Sequence, residues 1–227
     1  MLARLGAHIF PGRCLVCGAA GHVKLGVCGS CRGQIRHVPG PVCDICGKPI
    51  GSPGTCIECV RKRPPFDKVL SAGVFEGLLK DIIHQFKYHN ATWFKKPLAG
   101  LVFDALAHTD VCPDMITFVP MHWTRMISRG YNQAALIARE LSGYMGIYMR
   151  YDVIHKKRRT LSQVGLKRSD RMGNLRDVFL SAGVDGKTVL VVDDVITTTR
   201  TAREVARSLK KAGASYVLFV SVGRMIR

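Results

Sequence analysis

No apolar run in this 227-residue chain approaches the ~18 residues that a membrane-spanning helix needs. The N-terminal stretch MLARLGAHIFPGRC is broken by Arg4, His8 and Pro11, so it lacks the apolar core of a secretory signal. These two absences predict no membrane insertion and a cytoplasmic location. There is no low-complexity tract, and 47% hydrophobic content belongs to a globular chain rather than a disordered one. Aromatics are scarce at 7%. None interleaves with the most basic segment, which counts against the stacking platform of a single-strand binder. Acidic residues are also few, 16 against 34 Lys and Arg, for a formal charge of +18. That excess predicts an anionic partner, and nucleic acid, a phosphorylated small molecule and anionic lipid all fit it. A P-loop is missing too. Gly186 to Thr188 reads GKT, but the glycine such a loop requires falls at Ser181, and the triplet precedes its strand instead of following one.

Cysteine is abundant in one place only. Eight of nine lie before residue 60, as four Cys-x-x-Cys pairs: Cys14/Cys17, Cys28/Cys31, Cys43/Cys46 and Cys56/Cys59. This spacing lets two thiolates grip one ion from a tight turn. Gly18 and Gly47 follow the second cysteine of their pairs, where a positive φ is needed. Four pairs supply two four-cysteine zinc sites. Each is fully coordinated, so its role is structural. A disulfide framework is disfavoured without secretory features. A redox pair is disfavoured without a surrounding βαβ pattern. A module of ~60 residues with few large apolar side chains cannot hold itself by core burial, whereas metal binding can hold it. We assign sequential ribbons, the first pair with the second and the third with the fourth; spacing also permits an interleaved pairing. Cys112 stands alone and reads as a small buried apolar residue.

The run RKRPP, Arg61 to Pro65, reads as a stiff basic linker. It predicts a boundary between a double zinc ribbon at 1–62 and a second domain at 66–227, with chelation unfolding the first part and sparing the second. Beyond it, strand patterns alternate with helical ones. KVLSAGVF, DMITFVP, YDVIH, DVFLSA, KTVLVVDD and SYVLFVSV read as strands. EGLLKDIIHQFKYH, FKKPLAGLVFDALAH, GYNQAALIARELSGYMG and Thr201 to Ala212 read as helices. This order predicts an α/β fold with a mostly parallel sheet and flanking helices.

The segment VLVVDDVITTTRT ends a buried strand in two carboxylates, Asp193 and Asp194, then presents Thr197, Thr198, Thr199 and Thr201 around Arg200 at the mouth of a helix. An acidic strand end with threonine helix capping would account for it without a ligand. A ribose-phosphate site accounts for more of it. Carboxylates at the carboxyl end of a parallel strand can accept hydrogen bonds from vicinal ribose hydroxyls. The following helix N-terminus offers free N–H groups and a favourable dipole to a phosphate.

This segment resembles the phosphoribosyl pyrophosphate (PRPP) signature of type I phosphoribosyltransferases. Three further stretches narrow the likeness: CVRKRPPFDKVLSAGVFEGLLKDIIHQFKYH, VPMHWTRMISRGYNQAALIARELS and RRTLSQVGLKRSDRMGNLRDVF. With them the chain resembles, over nearly its whole length, the ComF competence family, a double zinc ribbon followed by a type I phosphoribosyltransferase-like domain. The resemblance implies that PRPP, or another ribose phosphate, binds at Asp193, Asp194, Val195, Ile196, Thr197, Thr198, Thr199, Arg200 and Thr201, with Mg2+. It implies a pyrophosphate-facing loop at Pro120 to Gly130, with Arg129, Gly130 and Asn132. It implies a closing hood at 156–176, with Arg158, Arg159, Thr160 and Gln163. That loop carries eight basic residues and one acid, Asp170. By charge alone it could equally rest on a DNA backbone.

The implied chemistry is displacement of pyrophosphate from C1 of PRPP, and the implied role is natural competence, DNA uptake or DNA utilisation. The alternative is a non-enzymatic adaptor that keeps the fold and binds single-stranded DNA, a helicase or other competence-machinery proteins. One departure stands out. The family has glycine or a very small residue at the positions of Thr199 and Arg200. A β-branched residue resists positive φ, so a loop needing that geometry would be strained at Thr199, and Thr199→Gly would then raise affinity; an Arg200 side chain pointing at the ligand would instead tighten binding.

Overall fold

The computed structural model describes residues 12–107, 109–156 and 178–226. The ribbon region opens with a two-stranded antiparallel pair, β1 (Val23–Lys24) and β2 (Val27–Cys28), followed by a short helix α1 (Gly29–Gly33). A second short helix, α2 (Ile57–Arg61), closes the region.

The α/β part runs β3 (Lys68–Val74), α3 (Gly77–Tyr88), α4 (Lys95–Leu106), β4 (Met115–Phe118), α5 (Trp123–Arg129), α6 (Gln133–Met145), β5 (Ile154–Lys156), β6 (Phe179–Ser181), β7 (Thr188–Ile196), α7 (Arg200–Lys211) and β8 (Tyr216–Arg224). Four strands form one parallel sheet in the order β3-β8-β7-β4. The short strands β5 and β6 pair with each other, antiparallel, outside that sheet.

The central strands are apolar on both sides because both sheet faces are covered. On one face Leu190, Val192, Leu218 and Val220 pack under α3, α4 and α6. There Leu79, Ile83 and Phe86 of α3 recur at helical spacing and are fully buried. On the other face Val189, Val191, Val217 and Phe219 pack against Val205 and Leu209 of α7, against β5 and β6, and against the second cysteine cluster. Each large side chain buried in this way contributes roughly 1.5–3 kcal/mol.

The ribbon region is laid onto the α/β part. Ile35 joins one core, and Cys43, Ile45, Cys46, Cys56 and Cys59 join the other. The free side of edge strand β3 is also occupied. The Val69 N–H donates to Ile45 O at 2.8 Å, and the Val74 N–H donates to Arg36 O at 2.8 Å. Such cover removes the unpaired edge that invites other chains to pair. Gly73 makes the approach possible, since a Cβ there would stand 3.0 Å from Arg36 O and 3.2 Å from Ile35.

Two expectations are corrected. The segment from Pro120 to Gly130 is not a plain loop, because α5 occupies most of it. His122 caps this helix by accepting from the Thr124 N–H, and Gly130, at φ 75, stops it. No residue of α5 is buried, so no apolar periodicity marks it in the sequence. Cys112 is exposed rather than buried. It lies in the irregular connection before β4, outside the packed layers.

Candidate functional site

A cleft of about 1510 Å³ opens where the carboxyl ends of β4 and β7 meet the starts of α6 and α7. Its floor includes Asp193, Asp194 and Val195 at the end of β7. One wall is Thr197, Thr198, Arg200 and Thr201. The lining also includes Pro120 to His122, Arg125, Arg129 and Asn132. Strand β7 delivers the acids here because its buried run ends at Val192, where its partner β4 also ends, while its pairing with β8 runs on to Ile196. The chain then turns directly into α7, an amphipathic helix held down by Ala202, Val205, Ala206 and Leu209.

The N–H of Arg203 already bonds Thr199 O at 2.8 Å. The N–H groups of Arg200, Thr201 and Ala202 therefore lie in the turn that has no intrahelical acceptor. No acidic residue occupies that first turn, and Thr197, Thr198 and Thr201 are exposed. The arrangement offers hydroxyls, free N–H donors and the positive helix end to an anion.

The two acids are half-buried and unequal. Asp194 Oδ2 lies 2.9 Å from Lys87 Nζ of α3. Asp193 Oδ1 accepts from the N–H of Asp194 at 2.8 Å. Burial, and then the neighbouring Asp194 charge, push the Asp193 carboxyl up to about 8, against the opposing pull of that N–H and of Lys87. The pair thus resists carrying two full charges, and Asp194 is matched by Lys87. The lining as a whole is basic, with eight Lys or Arg side chains against three carboxylates.

Most of the residues expected at the site come together there, including Asp193, Asp194, Val195, Thr197, Thr198, Arg200, Thr201, Arg129 and Asn132. Three of the expected residues do not line the cleft. Ile196 is buried in the core beside α7. Thr199 precedes the helix, and its hydroxyl accepts from Arg203 Nε at 3.3 Å. Gly130 terminates α5.

Thr199 has φ −76, so its β-branched side chain is not strained. Asn132 is a brace: its amide donates to Val119 O at 3.0 Å and its oxygen caps α6 by accepting from the Ala135 N–H. The Arg129 guanidinium sits 4.7 Å from the centre of the Tyr88 ring. Arg158, Arg159, Thr160 and Gln163 lie outside the described residues. Sequence reading missed Lys87, Tyr88, Lys62, Arg203 and Arg207. The pair Lys87–Tyr88 does fall at the end of a periodic helix, but nothing local signals that this end meets β7.

The cysteines form two groups, Cys14, Cys17, Cys28 and Cys31, and Cys43, Cys46, Cys56 and Cys59, with the four sulfurs of each within 4.8 Å of one another. Measured edges are 3.8 Å for Cys17–Cys28 and 3.7 Å for Cys46–Cys56. Those lengths match the ~3.8 Å edge of a sulfur tetrahedron around an ion with Zn–S of ~2.3 Å. Both groups therefore fit a structural zinc ion. Gly18 and Gly47 have φ 72 and 66, as the turns require.

Burial raises the Cys14 thiol, but N–H groups of Cys17, Cys28 and Val16 outweigh it and bring it down to about 6. Cys43 falls to about 7 in the same way. Burial and the neighbouring thiols push Cys31 up to about 12, and they also raise Cys59. Each group readily holds one thiolate but resists holding four, until a divalent cation offsets the repulsion. Near the second group Arg224 is buried. That burial lowers its pKa, and the thiolates of Cys46 and Cys43 oppose the fall.

Known proteins match the chain along its length. The double zinc ribbon domain matches residues 5–60, and the phosphoribosyl transferase domain matches residues 128–224. Competence protein F of Haemophilus influenzae is 32% identical over 221 residues, 92% of this chain and 96% of that protein. DNA utilization protein YhgH of Salmonella typhi is 32% identical over 217 residues, 91% of this chain and 94% of that protein. Among solved structures, the purine phosphoribosyltransferase of Pyrococcus horikoshii Ot3 is 18% identical and covers 58% of this chain and 83% of its own, with a TM-score of 0.38; a likeness of that size carries no weight by itself. With such relatives spanning nearly its whole length, and the two domains in this order, the chain belongs to the ComF family of competence and DNA-utilisation proteins, in which a double zinc ribbon is joined to a phosphoribosyltransferase domain.

Proposed function

We propose that the cleft binds PRPP, or a closely related ribose phosphate, in the course of DNA uptake or utilisation. The observation that carries this reading is the run from Asp193 and Asp194 into the N-terminus of α7, inside a cleft whose lining is otherwise basic. The two acids accept from the ribose 2- and 3-hydroxyls. Thr197, Thr198, Thr201 and the N–H groups of the first turn of α7 hold the 5-phosphate. Arg129, steadied by the Tyr88 ring, faces the pyrophosphate.

Mg2+ accompanying the diphosphate would supply charge neutralisation on the leaving group. In the reaction the C1–oxygen bond to pyrophosphate breaks, with its electron pair leaving on pyrophosphate. A bond from C1 to an acceptor forms, and the acceptor gives up its proton. The transition state is oxocarbenium-like, so the residues act by positioning and by electrostatic complementarity. DNA handling comes from the names of the relatives, and the cytoplasm is the matching location.

Calorimetry with PRPP and Mg2+ tests the reading. Asp193→Asn with Asp194→Asn should weaken binding at least ~10-fold, since a hydrogen bond to a charged group is worth ~1.5–3 kcal/mol. A wild-type chain that shows no binding would sink it.

A further inference from the structure

We propose that Arg224 is the positioning residue and counter-charge of the second zinc cluster, tying that metal to the end of the β7–β8 pair. Arg224 is the last residue of β8 and only 7% exposed. Its Nη1 donates to Cys46 O at 2.7 Å, across 178 residues of sequence. Among the described residues, no carboxylate forms an ion pair with it. A buried guanidinium without an anion is costly, and the charge that faces it is the thiolate cluster. Four thiolates around one divalent ion leave a net charge of −2, which Arg224 offsets in part.

Gly47 shapes the contact. A Cβ there would come within 2.5 Å of Val69 O, and it would stand 3.6 Å from Arg224 Nη1. The turn after Cys46 therefore has to be bare for β3 to reach it, while the guanidinium lies at contact distance beside it. The first cluster differs, since Cys17 is exposed and Cys28 half-exposed, so water can solvate its charge. The second cluster is buried at all four cysteines.

Arg224 also sits where β8 meets the cleft-bearing strand. It lies in register with Ile196, the Met225 N–H donates to Ile196 O at 3.0 Å, and Arg224 O accepts from the Phe75 N–H at 2.7 Å. Outer residues that hydrogen-bond a metal site commonly set its affinity by ~10–100-fold.

The test uses the full chain loaded with zinc and a chromogenic chelator in excess, with thiol alkylation and mass spectrometry assigning the released cluster. Arg224→Met should release one zinc per chain about 10-fold faster or more, exposing Cys43, Cys46, Cys56 and Cys59 while leaving Cys14, Cys17, Cys28 and Cys31 protected. Arg224→Gln, neutral but still a hydrogen-bond donor, should do the same, and it covers a Met variant that fails to fold. Arg224→Lys restores the charge and should hold zinc near the wild-type rate. Zinc kept at the wild-type rate in the neutral variants would overturn the proposal. So would equal acceleration at both clusters in all three variants, which is the signature of a packing role alone.

Discussion

Asp193 carries the most distinctive single-residue chemistry in the molecule. Its carboxyl is raised to about 8, against ~3.9 for an unperturbed aspartate. Between those values the folded chain holds a proton that the unfolded chain has lost. Stability should therefore fall as pH rises from about 4 toward 8 and level off above that. Asp193→Asn removes the liability. Its melting temperature should exceed that of the wild type at pH 8, and the gap should close toward pH 4. Melting curves across that range check it; a gap that does not change with pH would contradict the assignment. The place of the acid pair was legible in the sequence, because the apolar run of a buried strand ends at it. The inequality within the pair was not, since it depends on burial and on Lys87. The condition under which Thr199 would strain the loop is not met, since its backbone lies at φ −76, so Thr199→Gly should not raise PRPP affinity.

The strand–turn–helix from β7 into α7 was the most readable element. An apolar run, turn residues and a helical stripe each have their own period there, and all three agree. Helix α5 escaped because it buries nothing, so only its His122 cap and Gly130 stop mark it. Helix α3 was read as an element, but not for what its last turn does. Its apolar stripe ends at Phe86, and the next residue, Lys87, reaches Asp194 at the end of β7. Side chains of this pair are 16% and 18% exposed, so the ion pair is mostly withdrawn from solvent. Lys87→Met leaves Asp194 uncompensated beside Asp193. It should destabilise the chain by about 2 kcal/mol, below the ~3–5 kcal/mol of a fully buried pair. Urea unfolding measures this, and the loss should shrink when Asp194 is also replaced by Asn. Additive losses in the double variant would mean the two side chains are not coupled.

At the level of the whole molecule, the sequence suggests two separable parts, because the cysteines and the RKRPP run mark a sharp compositional change. What it could not convey is the seam. Val69 and Val74 of β3 donate to ribbon carbonyls, and the second cysteine cluster shares a core with β7, β8 and α7. Removing zinc should therefore lower the melting temperature of the α/β part as well, by exposing the edge of β3 and one side of that core. Calorimetric scans with and without chelator check this, and an unchanged α/β transition would restore the two-part picture. The central claim concerns where a ribose phosphate sits, and amide hydrogen exchange followed by mass spectrometry with PRPP and Mg2+ addresses it most directly. The account expects added protection concentrated in residues 193–202, at the end of β7 and the first turn of α7. Protection confined to other surfaces, or none at saturating PRPP, would contradict it.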